Sequence, residues 1–137
     1  MKRREQIERI IIGTLLNSDE NLNYFNSVKS SVTKDMFTDD RNKKLYDIIV
    51  RMNQSGITRT WPDAIFEYQN RNMPADMVAY MVELAVDWYF LAKKINYNEC
   101  VWMFDDCKRK RYTYVTFDDY VTRLIQMALK DGKQKQD

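Results

Sequence analysis

Residues 77–95 read MVAYMVELAVDWYFLAKKI, and within them Met77, Met81, Leu84, Trp88, Leu91 and Ile95 step by 4, 3, 4, 3 and 4 residues. Alternating steps of three and four mark one face of a helix, whereas a half-buried strand would alternate every second residue. Pro74 stands where a first helical turn accepts proline, and nearly three heptads follow it, so the spacing predicts a long helix. Two readings of the seam stay open: a core stripe inside this domain, or a seam shared with another chain.

Upstream, Ile7, Ile10, Ile11, Ile12 and Leu15 place an apolar stripe on a helix from about Arg4 to Leu16. Asn17-Ser18-Asp19 ends it and can cap a short second helix carrying Leu22, Phe25 and Val28. Met36 and Phe37 form a local anchor. Asp39 or Asp40 can cap a third helix presenting Leu45, Ile48, Ile49 and Met52, and Gly56 suits the left-handed residue after its end. Thr60 and Asp63 resemble a capping box opening a helix with Ile65 and Tyr68, which frays near Asn70-Arg71-Asn72.

Downstream, Tyr97, Cys100, Val101, Phe104 and Cys107 follow one helical pattern, and Phe117, Tyr120, Val121, Leu124, Ile125 and Ala128 a second. Thr116 and Asp119 offer a cap between them, so a helical hairpin is expected. The predicted organisation is all-α: a compact multi-helix orthogonal bundle over residues 1–96, a C-terminal helical hairpin of the same domain over 97–129, and a flexible polar tail over 130–137.

Composition agrees with helices. Only three glycines and two prolines occur in 137 residues, too few for a sandwich of short strands. Twenty-two basic residues nearly cancel twenty acidic ones, so any basic footprint must be local. The two cysteines sit seven residues apart, about 10 Å along a helix, too far to bridge each other. Reduced thiols, no long apolar run and no signal-peptide core are the pattern expected of a cytoplasmic chain without membrane contact.

Catalytic equipment is missing from the sequence. Gly13, Gly56 and Gly132 are scattered, so no glycine-rich loop can cradle phosphates. Two thiols and no histidine cannot supply the three or more ligands of a zinc site, nor a Ser-His or Cys-His dyad. The carboxylates are expected at caps and on solvated faces. No catalytic, cofactor-binding or metal-binding residue is therefore assigned, no cofactor is expected, and the chain is not expected to be an enzyme.

Two binding surfaces are candidates. Lys108, Arg109, Lys110 and Arg111 stand beside Tyr112, and cations next to aromatic rings suit a nucleic-acid strand. The same cluster also reads as a solvated face, with Asp105–Arg109 and Asp106–Lys110 at i,i+4 spacing. Four phosphate contacts would give only weak, salt-sensitive DNA binding. The aromatic and apolar residues Trp88, Tyr89, Leu91, Trp102 and Phe104 form the second candidate, an oligomer interface.

Several pieces, in order, resemble the N-terminal domain of DnaB-type replicative helicases. Glu5-Gln6 precedes Ile12-Gly13-Thr14-Leu15-Leu16; Asp35-Met36-Phe37 supplies an anchor; a helix spans Leu45 to Met52; and a glycine turn leads into a helix over Gly56 to Tyr68. The most specific piece is Ala79-Tyr80-Met81-Val82-Glu83-Leu84, matching A-Y-x-x-E-L. Two departures stand out: Ala85 to Leu91 is apolar where the family has a polar loop, and Val101-Trp102-Met103-Phe104 replaces a charged stretch. The resemblance implies a collar domain whose hairpins dimerise and whose outer face receives primase. The expected role is thus a non-catalytic interaction and oligomerisation domain of a primosome or helicase component, a homo-oligomer (dimer or higher) without the ATPase motor. The alternative is a small nucleic-acid-binding regulator using Lys108 to Arg111.

Overall fold

A computed structural model describes residues 3–96 and 117–136. They form α1 (Arg3–Asn17), α2 (Asn21–Val28), a single 3-10 turn (Lys34–Met36), α3 (Asp40–Gln54), α4 (Pro62–Tyr68), α5 (Ala75–Asn96) and α6 (Phe117–Gln136), with no strand among the described residues. The expected all-α class holds. The expected tail overlaps the end of α6, which runs on to Gln136.

α1 is the central helix. It packs against α2, α3, α5 and α6. Ile7, Ile10, Ile11, Ile12, Leu15 and Leu16 are all buried, and so are Glu8, Gly13 and Thr14 between them. Sequence spacing suggested one stripe. From Ile10 to Leu16 every residue is buried, so this part of the helix is covered on all sides and three consecutive isoleucines are tolerated, while its exposed residues, Arg3 and Glu5, lie in the first turn. Each such side chain contributes about 1.5–3 kcal/mol when removed from water.

The seam on α5 faces this central helix. Met77, Tyr80, Met81 and Leu84 are buried, and Trp88 packs half-buried against the same core. Over residues 77–88 the seam is therefore a core stripe of this domain. Gly13 sets the closeness of approach: a β-carbon there would lie 3.4 Å from the Leu84 carbonyl oxygen. From the other end of the chain, α6 returns Tyr120, Val121 and Leu124 to the core, and the Phe117 ring meets Tyr24 of α2 at 4.7 Å.

Two expected caps are corrected. The side chain of Thr60 does not cap α4, whose capping residue is Trp61. Its buried hydroxyl donates to the Leu15 carbonyl at 2.8 Å and receives the Asn21 amide at 3.3 Å. Leu15 lies in the last turn of α1, where carbonyls lack helical partners, so Thr60 closes the end of α1 from a distance. Neighbouring residues hold the turn that follows: the Trp61 indole donates to Ser18 O at 3.1 Å, and Arg59 donates to Asp19 O at 2.7 Å. Likewise α2 has no side-chain cap; its capping residue is Glu20, whose N–H donates to the Ser18 hydroxyl. Asp39 does cap α3, accepting from Arg41 N at 2.9 Å, and Gly56 is left-handed with φ +85°.

Between α4 and α5 the chain turns through two left-handed residues, Asn70 (φ 54°) and Arg71 (φ 59°). Asparagine visits this region readily; for arginine the β-carbon clash costs about 1–2 kcal/mol. Replacing Arg71 by glycine is expected to raise the unfolding free energy from urea titration by a net of about 0.5 kcal/mol after the glycine's own entropy loss, whereas Arg71→Val should lower it by about 1 kcal/mol, with the midpoints moving the same way. Equal midpoints for the two variants would show that the turn relaxes.

Candidate interaction site

A carboxylate that sequence reasoning placed on a solvated surface is in fact the polar centre of the bundle. Glu8, fully buried on α1, accepts hydrogen bonds from the N–H groups of Thr38 (3.0 Å) and Asp39 (3.2 Å), from the Thr38 hydroxyl and from the Asn42 side-chain amide (3.2 Å). These donors surround the start of α3, where the helix dipole favours an anion. The Arg4 guanidinium adds an ion pair at 3.6 Å. Nothing in the residue spacing marks Glu8: it shares its side of the helix with Arg4 and Glu5 as well as with Ile11 and Ile12, so the sequence does not separate it from a solvated acid.

The network continues to α5. Asn42 receives the Tyr80 hydroxyl through its carbonyl oxygen, so Glu8, Asn42 and Tyr80 join α1, α3 and α5 in one chain of hydrogen bonds. Arg41 lies 3.8 Å over the Tyr80 ring and pairs with Asp39 at 2.8 Å. Arg9 of α1 holds Asp87 at 2.6 and 2.9 Å and reaches Glu83 at 3.5 Å. Three residues of the A-Y-x-x-E-L element thus have assigned work: Tyr80 joins the network, Leu84 packs on α1, and Glu83 meets Arg9.

The opposite side of α5 differs from an ordinary solvent face. Ala75, Ala79, Val82, Val86 and Tyr89 are all exposed, with Val82 at 58%, Val86 at 50% and Tyr89 at 64%. They too step by 4, 3, 4 and 3, a second heptad phase turned about 160° from the buried one. A surface helix normally carries charge there. Here the acids keep to one edge: Asp76, Glu83 and Asp87. A count of both heptad phases, rather than the stronger one alone, would have revealed this stripe from the sequence.

Of the expected interface residues, Tyr89 belongs to the exposed stripe and Trp88 to the inner side of the same helix; Leu91 lies within α5. Trp102 and Phe104 lie outside the described residues, as do Cys100, Cys107 and the basic cluster Lys108, Arg109, Lys110, Arg111 and Tyr112. Among the described residues no group of three or more His, Cys, Asp or Glu side chains could hold a metal ion, and no helix is long and apolar enough to cross a membrane.

The family model described as DnaB-like helicase N terminal domain matches residues 1–101. No match was found among curated proteins or among solved structures.

Two measurements check the polar centre. Glu8→Ala strands buried donors from two segments and should lower stability by about 3 kcal/mol in urea unfolding, with Asn42→Ala costing about 1–2 kcal/mol. A loss under about 0.5 kcal/mol for Glu8→Ala would mean that water replaces the carboxylate. The pH dependence follows from three groups. The Arg41 side chain holds Asp39 below the usual carboxylate range, so the stability it confers is present above pH of about 4 and lost as pH falls further. Burial pushes Tyr46 and Tyr80 up to about 12. Their contribution is complete below pH of about 10 and disappears as pH rises towards 12. Urea midpoints across this range should drop at both ends, and Tyr46→Phe should shrink the alkaline loss.

Proposed function

The chain belongs to the family of DnaB-like helicase N-terminal domains, and from that premise we propose that it works without catalysis, as a docking and self-association module of a replication assembly. The observation that supports this most is the outer face of α5. The inner face of that helix is committed to the core, yet the outer face keeps an apolar stripe about 21 Å long in contact with water. Exposed apolar surface is retained against a penalty of about 25 cal/mol per Å² where something else covers it. The natural partner of this face is a primase or another replication protein, and self-association is proposed from the family membership. Binding energy in such a module comes from a few apolar and aromatic anchors, and no nucleotide chemistry is asked of these residues.

Sedimentation at tens of micromolar, alone and with the primase encoded in the same replicon, tests the proposal. Mass should rise with concentration or with added primase. A chain that stays monomeric and ignores every replication protein offered would end this reading. In the same preparation, ATP should leave the melting temperature unchanged and should not be hydrolysed above a buffer blank.

A further inference from the structure

The outer stripe of α5 also specifies what fits it, and this inference rests on the docking role proposed above. Its shape is that of a helix-binding strip. Small side chains (Ala75, Ala79) occupy one end, larger ones (Val82, Val86, Tyr89) the other, at the spacing by which a second helix presents i, i+3 and i+7 anchors. The two borders of the strip differ. One carries the half-buried Val78 and Ala85. The other carries Asp76, Glu83 and Asp87, with Asp39 behind them; among the described residues Arg9 pairs with Glu83 and Asp87, and Arg41 with Asp39. Among the described residues, these four carboxylates outnumber the two guanidinium groups shown paired with them, in a chain whose formal net charge is +2. The Arg9 guanidinium is largely covered, while the Glu83 and Asp87 carboxylates above it remain open to water.

We propose that the outer face of α5 docks an amphipathic helix of a partner protein, with the partner's apolar stripe on Ala79, Val82, Val86 and Tyr89 and a lysine or arginine border against Asp76, Glu83 and Asp87. A second copy of α5 fits less well. In an antiparallel pair the acidic borders face each other, bringing the two Glu83 side chains together near the symmetry axis, where like charges destabilise the contact. A strip one helix wide falls below the area of a standard stable interface, so micromolar affinity with a marked salt dependence is expected.

The test uses the full chain and two synthetic helical peptides, each with leucines at i, i+3 and i+7 over four turns. One peptide carries lysines along one border and its twin carries glutamates there. In fluorescence anisotropy the lysine peptide should bind at least tenfold more tightly than its twin. Val82→Lys/Val86→Lys should weaken it at least tenfold, with the urea midpoint unchanged because both valines are at least half exposed. Should that double variant unfold, Asp76→Lys serves in its place, and it should narrow the preference between the two peptides. Equal affinity for the twins, undiminished binding to the variants, or no binding at about 100 µM would overturn the proposal. So would a wild-type dimer that the Val82→Lys/Val86→Lys change disperses, since the occupant would then be a second copy. A replication protein that binds wild type and double variant alike would leave the docking role standing and remove this surface from it.

Discussion

A carboxylate enclosed by hydrocarbon is stable only if every one of its oxygen lone pairs is used, and that requirement at Glu8 fixes how three helices meet. The side chain sits on α1 between Ile7 and Ile11, and its partners are donors at the start of α3. α3 must therefore begin where α1 can reach it, with its dipole aimed at the charge. Asn42, held by Glu8 on one side, then offers its carbonyl oxygen to the Tyr80 hydroxyl and so sets the rotation of α5. Moving any of the three helices by a turn would leave a buried charge or amide without a partner.

That constraint also determines which side of α5 reaches water. With Tyr80 pointing inward, Met77, Met81, Leu84 and Trp88 follow it into the core, because residues three and four apart share a face. Ala79, Val82, Val86 and Tyr89 are carried outward by the same rotation. Arg9 then fastens the border by holding Asp87 and Glu83. The polar network and the exposed apolar strip are two results of one helix orientation, and the polar side fixes the position of the exposed strip.

Long-range polar closure recurs elsewhere in the molecule. Helix ends in a small bundle leave carbonyl groups unpaired, and local caps are the usual remedy. Here the residues entering α4 close the last turn of α1 and the turn after it: Thr60 reaches Leu15 within the helix, and Trp61 and Arg59 reach Ser18 and Asp19 just beyond it. One short stretch of chain thereby ties the entry to α4 to the end of α1 and the turn that follows it, while α4 itself packs on α3.

The all-helical class, the third helix with its Asp39 cap, the left-handed Gly56 and the seam on α5 all follow from the sequence alone, because each depends on spacing or on a residue's own backbone preference. Family membership was legible for the same reason, in short motifs read in order. Tertiary structure alone decided the rest. Whether the 77–88 seam faces its own core depends on α1 lying against it, and no local rule states that. Thr60 looks like an N-cap in sequence and closes another helix in space, since a hydroxyl bonds whichever carbonyl the fold brings near. Glu8 looks like a solvated acid, because burial is a property of what surrounds a residue and its neighbours in the chain do not reveal it.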